Sequence, residues 1–251
     1  MENDKILAIS GSDVLSGGGA QTDLSVFAHQ GLFGFLALTC VATLSNEELA
    51  VTPLTRKLFK AQLDSLSSVD FLAIKIGLLP TPGALVTLKQ FLKNQGDTFV
   101  VLDPVLVFKE NEDEALSEMA MRLHELFPMV DLITPNLKEA EMLSGITITT
   151  VDDMVLAART LQALGANRIV IKGGGRLRHK KAIDVYCDGK SCYLLSQPLL
   201  KQNTNGSGCM FSAAIASYVA KGLSPYQAVK AAQTYTHQAI QAANEYGVRP
   251  V

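Results

Sequence analysis

One local pattern recurs along the chain: a short apolar run that stops on polar or glycine residues, followed by a stretch with helical spacing. The runs are Ile6 to Ile9, leading to Ser10-Gly11-Ser12-Asp13, then Phe71 to Gly77, Phe99 to Pro104, Leu132 to Asn136, and Arg168 to Lys172 before Gly173-Gly174-Gly175. Continuous apolar runs of this length suit strands buried on both faces, and their alternation with helices specifies a mostly parallel sheet with helices on both sides. Ligands of such sheets bind beyond the carboxyl ends of the strands. Asp13, Asp103, Asn136 and Lys172 all stand at those ends. Each alone reads equally as a cap or turn residue; their convergence on one sheet edge is what points to function.

The helical stretches run from the glycine bend at Ser16 to about His29, Thr55 to Leu66, Thr81-Pro82 to about Asn94, Ala115 to Phe127, Leu137 to Ser144, Asp152 to Ala163, and Ser224-Pro225 to about Tyr246. Threonine or serine before proline supplies an N-cap and a first-turn proline. Leu32 to Val41 reads as a further strand. Ala182 to Cys187 and Lys190 to Leu194 read as two strands joined by a two-residue hairpin turn at Asp188-Gly189. Val107 to Glu114 is polar, and a mobile segment is expected there.

With 251 residues, 48% of them hydrophobic and 18% charged, the chain can bury one large core, so a single α/β domain over 1–251 is expected. A net charge of -2 gives no footprint for nucleic acid or an anionic membrane. The cluster Arg176, Arg178, Lys180 and Lys181 reads as a solvated loop. The start, Met1 to Lys5, leads into a strand without the apolar stretch of a secretory leader, and no apolar run approaches the ~18 residues of a membrane span. The cysteines, Cys40, Cys187, Cys192 and Cys209, lack metal-ligand spacing, and reduced thiols in a cytoplasm are expected. Cys187 and Cys192 flank Asp188-Gly189-Lys190 and could face each other across the hairpin, but they read as ordinary strand residues.

The densest local signal is Lys201-Gln202-Asn203-Thr204-Asn205-Gly206-Ser207-Gly208-Cys209, running directly into Met210 to Ala216. Glycine-rich residues opening an Ala-rich helix present backbone N–H groups where the macrodipole favours an anion, so Gly206, Ser207 and Gly208 form a candidate anion hole. A thiol in that first turn has its pKa drawn down and can take a proton or attack an electrophile; otherwise Cys209 is a small buried hydrophobe. Gly17-Gly18-Gly19 forms a second such bend. Asp23, one turn further, is either a favourable charge near the helix start or a carboxylate aimed at a ligand. Two glycine cradles, at 173–175 and 206–208, with carboxylates for magnesium and a lysine for phosphate, are the equipment of phosphoryl transfer. Neither Gly-x-x-x-x-Gly-Lys-Ser/Thr nor Gly-x-Gly-x-x-Gly occurs in the required context.

Gly11-Ser12-Asp13, Gly17 to Leu24, Lys75-Ile76-Gly77-Leu78-Leu79, Asp103-Pro104-Val105, Ile133 to Ala140, Ile171 to Gly174 and Gly206 to Cys209 together resemble the bacterial hydroxymethylpyrimidine kinase family of the ribokinase superfamily. The likeness spans almost the whole chain. Val151 to Met154 and Gly173 to Ala182 are most similar to the family's pyridoxal kinases of Gram-positive bacteria. The resemblance implies a three-layer ribokinase-like fold, ATP and Mg2+ as cofactors, a small-molecule substrate, no nucleic-acid or membrane partner, and a homodimer. It implies that Gly11, Gly18, Asp23, Leu44 and Val107 surround the aromatic substrate. Asn136, Lys172, Gly173, Thr204, Gly206 and Gly208 would meet ATP, with Asn136 and Glu139 organising magnesium and Asp103 near the same ions. Cys209 would be the base, with Gly206, Ser207 and Gly208 holding the transferring group. Three residues depart from the pattern. Leu44 replaces the glutamine of the pyrimidine kinases, where the pyridoxal branch has methionine; Phe108 replaces a lid cysteine of that branch; Asn205 replaces a histidine. The expected activity is phosphorylation of pyridoxal and related B6 vitamers, with hydroxymethylpyrimidine phosphorylation and a non-catalytic vitamer binder as alternatives.

Overall fold

The computed structural model describes residues 4–45, 48–106, 113–177 and 181–251. The chain divides into two compact units, 1–101 with 202–251, and 102–201. In the first lie strands β1 (Lys5–Asp13), β2 (Phe33–Ser45), β3 (Glu48–Pro53) and β4 (Ala73–Ile76), and helices α1 (Gly19–His29), α2 (Arg56–Ser65) and α3 (Pro82–Leu92). Strand β5 (Phe99–Leu102) straddles the division. The second unit holds α4 (Asp113–Leu123), β6 (Leu132–Ile133), α5 (Leu137–Ser144), α6 (Val151–Ala163), β7 (Ile169–Lys172), β8 (Lys181–Cys187) and β9 (Cys192–Pro198). The chain then returns to the first unit as α7 (Ser207–Ala220) and α8 (Pro225–Gln241).

In the first unit β1 is central, parallel to β2 on one side and to β4 on the other, with β3 antiparallel outside β2. Ile6, Leu7, Ala8 and Ile9 are fully buried, as a strand covered on both faces requires. Helix α7 is buried along most of its length, and its small residues Ser212, Ala213, Ala214, Ala216 and Ser217 let α1, α8 and the strands approach closely. The Ser217 hydroxyl donates back to the Ala213 carbonyl at 2.8 Å, so its polar group is satisfied inside the core. In the second unit β7 runs parallel to β6 and antiparallel to β8, which pairs antiparallel with β9, and α6 packs on β7 and β8. No helix among the described residues is long and apolar enough to cross a membrane.

The structure extends or trims several expected elements. Strand β2 continues to Ser45 and turns back as β3, where the sequence pattern ends at Val41, because Leu44 and Leu49 pair across the hairpin yet remain about half exposed. Helix α4 starts at Asp113 instead of Ala115, while 107–112, with Val107 and Phe108, lie outside the described residues. So do Arg178, His179 and Lys180 of the expected basic loop. Helix α8 stops at Gln241, short of Tyr246, because Asn244 Oδ1 accepts the N–H groups of Tyr246 and Gly247 and closes a turn. The hairpin turn is four residues, not two. Asp188 Oδ1 accepts from Lys190 and Ser191 N–H, and this moves the start of β9 to Cys192. Cys187 and Cys192 therefore fall opposite each other, 4.2 Å apart at Cα, and form a disulfide, which corrects the expectation of reduced thiols at both. Cys40 and Cys209 take no part in a disulfide.

Candidate active site

In the first unit the glycine loop and α7 behave largely as the residue pattern requires. Gly206 is the N-cap, in the left-handed region at φ 79°, and a β-carbon there would collide with the Gly17 carbonyl oxygen. Ser207, Gly208 and Cys209 form the first turn. The Ser207 N–H donates to the Thr204 carbonyl at 3.0 Å, so one of the three expected anion donors is already engaged. Cys209 is partly exposed, and its Sγ accepts the Gly19 N–H at 3.4 Å, which joins the start of α7 to the start of α1. Gly18 sits between them: a β-carbon on it would lie 3.8 Å from Cys209 Sγ and from Gly206 Cα. Asn205 donates from Nδ2 to the Tyr246 carbonyl at 2.9 Å and fastens the C-terminal turn.

Asp23 lies in the second turn of α1 and is completely buried, so a helix-dipole role does not describe its surroundings. Its Oδ2 accepts from Ser10 Oγ at 2.7 Å and from Lys75 Nζ at 2.8 Å. Lys75 is equally buried, in the middle of β4. Lys75 opens one of the motifs that carry the resemblance and Ser10 ends the first apolar run, yet neither has a site role in the sequence reading, because their common partner, Asp23, is distant from Lys75 in sequence. Gly11 follows Ser10 at an irregularity of β1, and a β-carbon on it would approach Cys40 Sγ to 2.5 Å. Burial pushes the Cys40 thiol above its ordinary range, so it stays a thiol. Leu44 stands on the β2–β3 hairpin, 49% exposed.

The second unit collects the charged residues. Lys172, at the end of β7, contacts Asp103 Oδ1 at 2.9 Å, and Thr134 Oγ1 donates to the same oxygen at 3.2 Å. Asn136 and Glu139 form a reciprocal capping box on α5: Asn136 Oδ1 accepts the Glu139 N–H at 3.0 Å, and Glu139 Oε2 accepts the Asn136 N–H at 2.8 Å. Burial raises the Glu139 carboxyl from 4.5 to about 7; the Lys172 charge pulls it down, and the Asp103 charge pushes it up again. The Gly173 N–H donates to Asp184 Oδ1 at 3.0 Å, so it belongs to β8 and is not an open anion donor. A β-carbon on Gly173 would strike the Ile183 carbonyl, which is why glycine stands there. Sequence reasoning passed over Asp184, an ordinary-looking acidic residue in an alternating strand.

Among the described residues no group of three or more histidine, cysteine or acidic side chains is arranged to hold a metal. Two carboxylates within electrostatic reach, Asp103 and Glu139, match what Mg2+ takes from proteins, since it keeps its waters and completes its shell with phosphate oxygens. The first unit thus offers a helix N-terminus with a thiol, and the second a lysine with two carboxylates. Each set is of a kind that phosphoryl transfer employs, the first suited to an alcohol acceptor and the second to neutralising phosphate charge.

A mostly parallel sheet between helices, with a glycine loop opening a buried helix near the C-terminus, defines the ribokinase-like class of three-layer α/β proteins. Residues 13–250 match the model of the phosphomethylpyrimidine kinase family, and the chain belongs to that family. It is 38% identical to the pyridoxine kinase of Bacillus subtilis over 248 residues, 96% of this chain and 92% of the relative. A solved structure of the Staphylococcus aureus pyridoxal kinase, in complex with AMP-PCP and pyridoxal, is similar with a TM-score of 0.92 at 32% identity, covering 100% of this chain and 94% of that one. The phosphomethylpyrimidine kinase of Clostridium difficile is similar at 0.79 and 30% identity, covering 94% of this chain and 99% of that one.

Proposed function

We propose that this chain is an ATP-dependent kinase that phosphorylates the primary alcohol of pyridoxal and related B6 vitamers. The observation that carries the reading is the thiol of Cys209 in the first turn of α7, held by the Gly19 N–H and flanked by Gly206 and Gly208. An alcohol needs a base as it attacks, and the same turn offers N–H groups to the incoming phosphoryl group. In this proposal Cys209 is that base. Gly206, Ser207 and Gly208 cradle the phosphoryl group, and Gly11, Gly18, Asp23 and Leu44 surround the vitamer.

Asn136, Lys172 and Thr204 serve the nucleotide, Gly173 lines its place without donating its N–H, which Asp184 holds, and Asp103 and Glu139 would hold Mg2+, which neutralises phosphate charge when bound. Lys172 already neutralises Asp103, so it can exchange that contact for a phosphate oxygen when nucleotide and metal arrive. The two units would work as one kinase domain, in a cytoplasmic homodimer. Size-exclusion chromatography with light scattering reads that assembly directly.

Purified protein with ATP and Mg2+ should release ADP faster with pyridoxal or pyridoxine than with hydroxymethylpyrimidine. The pyrimidine kinase reading is favoured by the family model itself, and faster turnover of the pyrimidine would put it first. Absence of ADP release with all three, from folded protein, would sink both.

A further inference from the structure

We infer that Lys75 is a positioning residue for the vitamer end of the reaction, acting through Asp23 without touching substrate. Lysine is almost never fully buried unless paired, yet Lys75 shows no exposed surface in a strand buried throughout. Its Nζ lies 2.8 Å from Asp23 Oδ2 and 3.3 Å from Ser10 Oγ, and Ser10 Oγ donates to that same carboxylate oxygen. One buried ion pair therefore ties together β4, which carries Lys75, β1, which carries Ser10, and α1, which carries Asp23. The space for it is built in. A β-carbon on Gly77 would stand 2.6 Å from Ser10 Oγ and 2.9 Å from Lys75 Nζ, so glycine two residues after the lysine leaves room for the pair. Gly11 directly follows Ser10, and Gly18 and Gly19 open the helix on which Asp23 sits four residues on. Fixing Oδ2 from two directions sets both glycine segments in place, and Gly19 in turn holds Cys209 through its N–H.

The inference rests on the proposed placement of the vitamer at Gly11, Gly18 and Asp23, and the experiment separates the two. Lys75→Met leaves a similar volume without charge, and a buried carboxylate that loses its partner takes up a proton instead. Steady-state kinetics should show the KM for pyridoxal rising ~10-fold or more, as for loss of a hydrogen bond to a charged group, with the KM for ATP unchanged. A lower melting temperature with an unchanged pyridoxal KM would make Lys75 a purely structural residue and overturn the inference. An equal rise in both KM values would overturn it as well, since that reports general loosening. Where Lys75→Met does not fold, Ser10→Ala removes the neutral donor to the same oxygen and keeps both charges. A selective rise in pyridoxal KM of about 2-fold to 5-fold then supports the inference, and no change overturns it. Gly18→Ala tests the placement itself, because its methyl fits in ordinary contact with Cys209 and Gly206. Unchanged pyridoxal KM in Gly18→Ala removes the vitamer from that loop; a rise there with none in the Lys75 and Ser10 variants removes only the role of Lys75.

Discussion

At the scale of single residues, the site turns on how few atoms each side chain leaves uncommitted. Cys209 accepts the Gly19 N–H and is partly exposed, and in the proposed function its sulfur meets the substrate alcohol. Cys209→Ala should lower kcat by ~10²- to 10⁴-fold, the usual contribution of a positioned base, while the KM for ATP stays within about twofold. A wild-type kcat in that variant, measured by ADP release, would leave transfer to the backbone N–H groups and magnesium. Glu139 closes the capping box of α5, and pH separates that structural role from its proposed role toward Mg2+. Its folded carboxyl titrates at about 7 against an ordinary 4.5, so between those values the fold holds a proton that the unfolded chain has released. Stability from this group is therefore complete below about 4.5 and lost as pH climbs through about 7. Glu139→Gln keeps an oxygen for the capping box and removes the charge. Urea titrations from pH 4 to 8 should show the falling slope vanish in the variant, leaving it more stable than the parent at pH 8 by on the order of 3 kcal/mol at most. Its activity should nevertheless drop and demand more Mg2+. An identical pH slope in both proteins would remove Glu139 as the titrating group.

At the scale of elements, what the sequence disclosed and what it hid follow from how local the determining contacts are. Helix α5 begins and ends where the residues predict, at Leu137 and Ser144, because Asn136 and Glu139 cap its start from within four residues of sequence and Gly145, left-handed at φ 72°, stops it. The parallel strands were equally legible, since their apolar runs meet burial on both faces. The β8–β9 hairpin was not. An Asp-Gly turn of two residues would pair Cys187 with Lys190, whereas the Asp188 side chain draws Lys190 and Ser191 into the turn and sets Cys187 against Cys192. One side-chain hydrogen-bonding choice decided both the register and the disulfide. The pairings of Lys75 and Asp184 were hidden for a related reason: their partners, Asp23 and the Gly173 N–H, lie on other segments of the chain. The disulfide closes a loop of only a few residues, for which chain-entropy arguments give about 2 kcal/mol. Cys192→Ser should thus lower stability by roughly that amount in urea unfolding without a reducing agent, and the difference should vanish once the parent is reduced. Equal stability of the two oxidised proteins would mean that the hairpin is held by its ladder alone.

At the scale of the whole molecule, the fold leaves the substrate undecided, because one architecture serves vitamers with different rings, and only the residues at the site can choose between them. The relatives include both pyridoxine and phosphomethylpyrimidine kinases, and the residues proposed for catalysis on α7 and around Asp103 suit either alcohol. The ring must therefore be read elsewhere, and Leu44 is the residue placed to do so in the proposed site. It stands on the β2–β3 hairpin with about half of its surface open, beside Leu49 on the neighbouring strand. An apolar side chain there gives a pyrimidine amine or ring nitrogen no hydrogen-bond partner, so such a ring would be desolvated without replacement, while the methylated pyridine ring of a B6 vitamer loses less. Leu44→Gln restores a donor and an acceptor at that place. An apolar contact discriminates by about 1 to 3 kcal/mol, so the ratio of kcat/KM for pyridoxal to that for hydroxymethylpyrimidine should fall by roughly 10-fold or more in the variant. The fall should come from a gain on the pyrimidine as well as a loss on pyridoxal, since a new polar group rewards one ring and penalises the other. Competition assays with both substrates present measure the ratio directly. A ratio that does not move would take Leu44 out of the ring's surroundings and shift the choice of substrate to the glycine segments at Gly11 and Gly18.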